Sequence, residues 1–171
     1  MGEFLAAAAI ALVHVLGGGV WIGAMVFSVF VLHPRAEKFF ARAGPDGREV
    51  ASGEFEDFIF TVVHGARWKV VAGIAAIVAS GALLLGRLGW AAGGPAWRAL
   101  VVAKLVLLGV SLALFVHVSW ALWPRRVFAG PDELPAVRRR FWWVGVVMIA
   151  CNTTNLGLGV LAHLLRARAG A

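Results

Sequence analysis

Four long apolar runs alternate with charged segments along this chain of 171 residues. The first, Phe4–Leu32, contains no formal charge. The second, Val70–Gly86, lies between Arg67 and Lys69 on one side and Arg87 on the other. The third, Ala99–Trp123, is interrupted only by Lys104, and the fourth, Phe141–Leu165, lies between Arg138-Arg139-Arg140 and Arg166. A hydrocarbon layer about 30 Å thick is crossed by ~20 apolar helical residues. The backbone must satisfy its own hydrogen bonds there, which selects helices. The pattern predicts an all-α, polytopic membrane four-helix bundle, a single domain over residues 1–171, with spans at about 4–32, 70–86, 99–123 and 141–165. Pro34 and Pro124 follow the first and third runs, where proline is expected to end a helix, and Pro95 precedes the third.

The segment 33–69 is the one long connection. Ala43-Gly44-Pro45-Asp46-Gly47 reads as a turn. Ser52 then suits a helix cap, with Glu54, Glu56 and Asp57 near the positive helix end. Phe55, Phe58, Ile59, Val62 and Val63 recur at helical spacing. An amphipathic helix on the inner membrane surface, leading into the second span, is expected, with its acidic residues toward water. No repeat of solenoid period is visible.

Composition supports a membrane protein: 61% of residues are hydrophobic and mean hydropathy is +0.85. The net charge of +7 does not indicate nucleic acid, because the basic residues sit between apolar runs instead of forming one stripe. They set orientation instead. Eleven lysines and arginines border the first and third loops against four at the opposite ends, which places those loops in the cytoplasm and both termini outside a plasma or inner membrane. Trp68, Trp123, Trp142 and Trp143 are then expected at the inner interface and Trp90 and Trp97 at the outer one. The first residues lack the basic region of a cleavable signal peptide. Cys151, the single cysteine, has no internal disulfide partner, and no paired-cysteine metal motif exists.

Ionisable groups at membrane depth usually face a bundle interior and act there. His14 shares a helix face with Gly18, Trp21 and Met25, and the glycines at 17, 18 and 19 leave room for a neighbouring helix or a flat cofactor. Gly145, Met148, Asn152, Asn155, Gly159 and His163 share a face of the fourth span that should point inward. By depth, His14 and His163 belong to the outer half, and His33, His64 and His117 to the inner half. Histidines on facing helices can hold a b-type haem. His14 with His163, or His64 with His117, fits that scheme, and His14 and His117 are the residues hardest to dismiss as packing. His33 and His64 are expected to border loops in water, and Lys104 to snorkel outward. Met25, Met148 and Cys151 are the only sulfur atoms within the spans, a sparse set for copper. No nucleophile–base set appears, so catalytic residues are unassigned.

His14 followed by Trp21 and Gly23 resembles the first helix of CopD-type copper resistance membrane proteins. Arg67-Trp68, Ser80-Gly81, Lys104 leading to His117, Pro124-Arg125-Arg126 and an arginine-led fourth helix with Asn152 are similar too. HemJ-type protoporphyrinogen oxidases share the first-helix pattern and a histidine late in the third helix, but this chain has no acidic residue in its fourth span and no Asn-Glu-x-Pro segment before it. The resemblance implies a haem b or copper bound by His14 and His117, with Trp21 and Lys104 beside the site. The resulting expectation is a haem-b membrane protein, an oxidoreductase if redox-active. A copper-transporting or copper-binding protein and a cofactor-free structural subunit are the alternatives. The lipid bilayer is the expected environment, with a homo-oligomer or a membrane redox partner left open.

Overall fold

The computed structural model describes residues 1–41, 49–90, 94–130 and 132–169. All elements among them are helices: α1 (Gly2–Val26), α2 (His33–Ala41), α3 (Glu49–His64), α4 (Arg67–Leu88), α5 (Pro95–Val116), α6 (Trp123–Phe128) and α7 (Leu134–Ala169). The turn expected at Ala43–Gly47 and the side chain of Ser52 lie outside the described residues. Four helical segments are long and apolar enough to cross a bilayer: Gly2–Phe40, Arg67–Arg87, Pro95–Phe128 and Leu134–Ala167. The chain is a multi-pass membrane protein, an all-α bundle.

The prolines do not end their helices. A π-helical stretch, Phe27–Leu32, joins α1 to α2, and a second, His117–Leu122, joins α5 to α6. Each sits just before a proline, whose ring lacks an N–H and collides with the carbonyl four residues back in a tight α-turn. The wider π register moves that carbonyl aside. The N–H groups of His33 and Trp123 accordingly reach back five residues, to the carbonyls of Ser28 and Val118. Such insertions are uncommon and cluster at functional sites.

This matched pair exposes a duplication. Gly19, Val20, Val26, Leu32, Pro34 and Arg35 recur ninety positions later as Gly109, Val110, Val116, Leu122, Pro124 and Arg125. α1 packs on α4 and α5 packs on α7 as the two most extensive seams. Each seam carries one side-chain nitrogen donor at the same place. His14 Nδ1 donates to the Ile77 carbonyl at 2.9 Å and lies against Gly81. Lys104, ninety positions on, donates from Nζ to the Asn155 carbonyl at 3.1 Å and lies against Gly159. Ile77 and Gly81 precede Asn155 and Gly159 by the same seventy-eight positions. Lys104 is therefore turned into the seam and does not snorkel, and Asn155 Nδ2 returns a bond to the Lys104 carbonyl at 3.1 Å.

The first hairpin contains an insertion, α3, which lies across the proline end of the bundle. Phe55 and Ile59 are buried there with Ala36 and Trp123, against Phe40, Val63 and Phe141. The expected amphipathic helix is present: Phe55 and Ile59 are buried in the bundle, while Phe58, 5.5 Å from the Phe40 ring, and Val62 are exposed on the protein surface. Glu56 faces the bundle instead of water. Its carboxylate accepts from Arg126 at 2.6 and 3.0 Å and from Arg138 at 3.0 Å. Trp97 and Trp123, expected at interfaces, are buried within the protein, while Trp68, Trp90, Trp142 and Trp143 are exposed.

Candidate functional site

α3 roofs a cavity of about 740 Å³ at the proline end of the bundle. This volume lies within the roughly 300–1,000 Å³ of small-molecule and cofactor sites. The two hairpins wall it with equivalent positions. Met25 and Phe115, Val29 and Ser119, and His33 and Trp123 come from the π-bearing helices. Val63 and Phe141, His64 and Trp142, Arg67 and Gly145, and Val70 and Met148 come from their partners. The lining is mostly apolar, and both hairpins contribute polar and aromatic groups. Both imidazoles come from the first hairpin, with Ser28, Glu37 and Arg67; the second supplies Ser119, Arg126, Arg138 and Arg139 together with Phe115, Trp123 and Trp142.

His33 is half-buried in this wall. Its Nδ1 lies 2.8 Å from the Ser28 carbonyl and 3.3 Å from Ser28 Oγ. A carbonyl only accepts, so Nδ1 carries the proton and Nε2 of the neutral ring keeps its lone pair. A backbone carbonyl on one imidazole nitrogen is the usual way to orient the other as a ligand. The π-helical stretch makes this possible: it carries the chain past Leu32 as helix, so His33 stays on the cavity wall instead of entering a loop. The expectation that His33 is solvated in a loop is thereby corrected.

The other candidates fall in separate places. His64 lines the cavity while its residue remains exposed, and its ring packs on Phe60 at 4.8 Å. Trp21 and Met25 line the cavity with it, as does Met148. His14 is part-buried in the α1–α4 seam, bonded to Ile77 and, at 3.2 Å, to Ser80 Oγ. Gly17, one turn on, makes that seam close, because a Cβ there would lie 2.9 Å from Ile77. Gly18 has nothing within 4 Å of a built Cβ. His117 and His163 are exposed on their helices. The face read on the fourth span turns inward from Gly145 to Gly159 and loses His163.

Among the described residues no group of three or more His, Cys, Asp and Glu converges as a metal site. Arg67, Arg126, Arg138 and Arg139 line the cavity. Arg126 and Arg138 are taken up by Glu56, with Glu37 3.4 Å from Arg138. Arg67 lies over the Trp120 ring at 5.5 Å, and among the described residues no carboxylate pairs with it. The missed residues, His33 and Arg67, had a signal in the sequence: His33-Pro34 and Trp123-Pro124 recur at the ninety-residue spacing, and Arg67 stands where the second hairpin has Gly145. The chain matches no protein-family model, no curated protein and no solved structure.

Proposed function

We propose that this chain is a haem-b-binding protein of a plasma or inner membrane, with the cofactor held in the cavity beneath α3 and His33 as the residue that would lead in holding its iron. The observation that carries the reading is the His33 imidazole, fixed through Nδ1 at 2.8 Å from Ser28 on the wall of a large, mostly apolar cavity. The donor chemistry fits. Haem brings four nitrogens of its own, so one or two imidazoles suffice from the protein. His64 is the candidate second ligand, and Trp21 a packing contact. When bound, haem would supply a one-electron redox couple. His33 would orient it, and the aromatic wall of Trp123 and Phe115 would exclude water from its face. The arginines at the α3 end, including Arg126 and Arg138–Arg140, favour a cytoplasmic location for that end.

Copper is the second reading, because Met25 and Met148 share the cavity with both imidazoles and supply soft donors. Haemin titration of the purified protein distinguishes the two. A saturable Soret band is expected, with haemin affinity weakened at least ~10-fold by His33→Ala, as loss of an iron ligand requires. His117→Ala and His163→Ala, at exposed positions, should leave it unchanged. A colourless protein that retains copper favours the second reading, and one that binds neither returns the chain to a structural role.

A further inference from the structure

The cavity is not closed equally on its two sides. α1 packs against α7 along one side, and by the duplication α5 should pack against α4 along the other. It does not: among the described residues α4 and α5 share no comparable seam. The equivalent residues explain why. On the closed side Gly145 admits Val29, whose Cγ2 lies 2.7 Å from where a glycine Cβ would stand. Phe30 then meets Trp142 edge-on at 6.4 Å. On the other side the residue equivalent to Gly145 is Arg67 and that equivalent to Phe30 is Trp120. An arginine cannot admit a neighbouring helix as a glycine does, and it lies instead over Trp120, holding α4 off α5.

We infer that this seam is a lateral portal from the bilayer into the cavity, and that its occupant is an amphiphile with an acidic head on an apolar body, received by Arg67. The portal faces lipid, which selects a ligand that partitions into the membrane. The lining beyond it is apolar, with Phe115, Met25 and Met148, which suits the body. Arg67 has five donors, lines the cavity over the Trp120 ring, and has no carboxylate partner among the described residues. Arg126 and Arg138 are less suited, since Glu56 already occupies both. Membrane fatty acids and carboxylate-bearing haem are two sources of this chemistry, and the portal stands on the duplication whether or not haem binds.

The test uses full-length protein in nanodiscs of zwitterionic lipid. The probes are a dansyl-labelled undecanoic acid and its methyl ester, and haemin and its dimethyl ester. Saturable binding of at least one acid is expected, at least ~10-fold tighter than its ester, the lower end of what a charge-assisted hydrogen bond contributes. Arg67→Ala should abolish the acid–ester difference and Arg67→Lys should keep most of it, so a folding defect in one variant leaves the other to decide. Arg67→Gly combined with Ser119→Val rebuilds the closed side and should slow ester exchange at least several-fold. Which acid binds identifies the source. Equal affinity for acid and ester, a difference that survives in Arg67→Ala, or unchanged exchange in the rebuilt seam would overturn the inference.

Discussion

The two helical hairpins are copies with different surroundings. Each has a π-helical stretch before a proline, and each is stapled by a side-chain nitrogen that donates to a backbone carbonyl beside a glycine. Those shared features hold the hairpins together, and a hydrogen bond between transmembrane helices is worth roughly 0.6–2 kcal/mol. What differs lies around the cavity. His33, His64 and Arg67 stand in the first hairpin where Trp123, Trp142 and Gly145 stand in the second. The duplicated framework thus carries an asymmetric site, with both imidazoles on one wall and Trp123 and Trp142 in their places on the other. The staples teach the same lesson in reverse. A polar residue deep in a span is first suspected of function, yet His14 and Lys104 occupy the positions where the copies agree.

The largest break in the comparison should come from the one element that the second hairpin lacks. α3 belongs to the first hairpin but reaches the second through Glu56. Arg126 is only 3% exposed, so Glu56→Ala would leave a buried guanidinium without its carboxylate. Removing one partner of a buried pair costs about 3–5 kcal/mol. A large drop in thermal stability in detergent is expected, with faster proteolysis of α3. A melting temperature unchanged by Glu56→Ala would mean that α3 does not clamp the second hairpin.

Next in size is the closed seam. Gly145→Leu places a side chain where Val29 already stands, and overpacking of this kind costs about 1–3 kcal/mol. The equivalent position, Arg67, already holds a large residue on an open seam, so Arg67→Leu should change stability by less than half as much. Equal losses at the two positions would remove the asymmetry on which the portal rests.

The spans were legible because lipid imposes a length and an apolar composition that few other constraints can imitate. The amphipathic α3 was legible from Phe55 and Ile59 for a similar reason. The cavity was not. Reading Pro34 and Pro124 as helix ends hides the π-helical continuation, and with it the inward position of His33. The duplication was obscured because lipid-facing positions accept any apolar residue, which leaves Pro34 with Pro124 and Gly19 with Gly109 among few identities. His14 and Lys104 share a structural position but no chemistry that sequence comparison scores. His117 looked internal by depth alone. In a helix apolar on all sides, depth does not tell which face meets lipid, and the structure leaves that histidine exposed.

The smallest effect gives the finest comparison of the two staples. A Cβ on Gly81 would lie 2.9 Å from Cε1 and 3.3 Å from Nδ1 of His14. That ring is short, held to Ile77 and Ser80, and cannot retreat without breaking those bonds. A Cβ on Gly159 would lie 2.6 Å from Lys104 Nζ, nominally the worse clash. Yet Nζ is the far end of a flexible chain, and small rotations relieve the contact. Alanine also gains about 0.8–1.0 kcal/mol over glycine in a helix interior. For Gly159→Ala this gain should roughly cancel the strain, leaving stability within ~0.5 kcal/mol of the native protein. For Gly81→Ala the fixed imidazole should keep the cost near the ~1–3 kcal/mol of overpacking, with a net loss of about 1 kcal/mol. Matched thermal denaturations of the two variants decide it. If Gly159→Ala proves the more damaging, Lys104 is held as rigidly as His14, and the second staple is a fixed charge site instead of an adaptable tether.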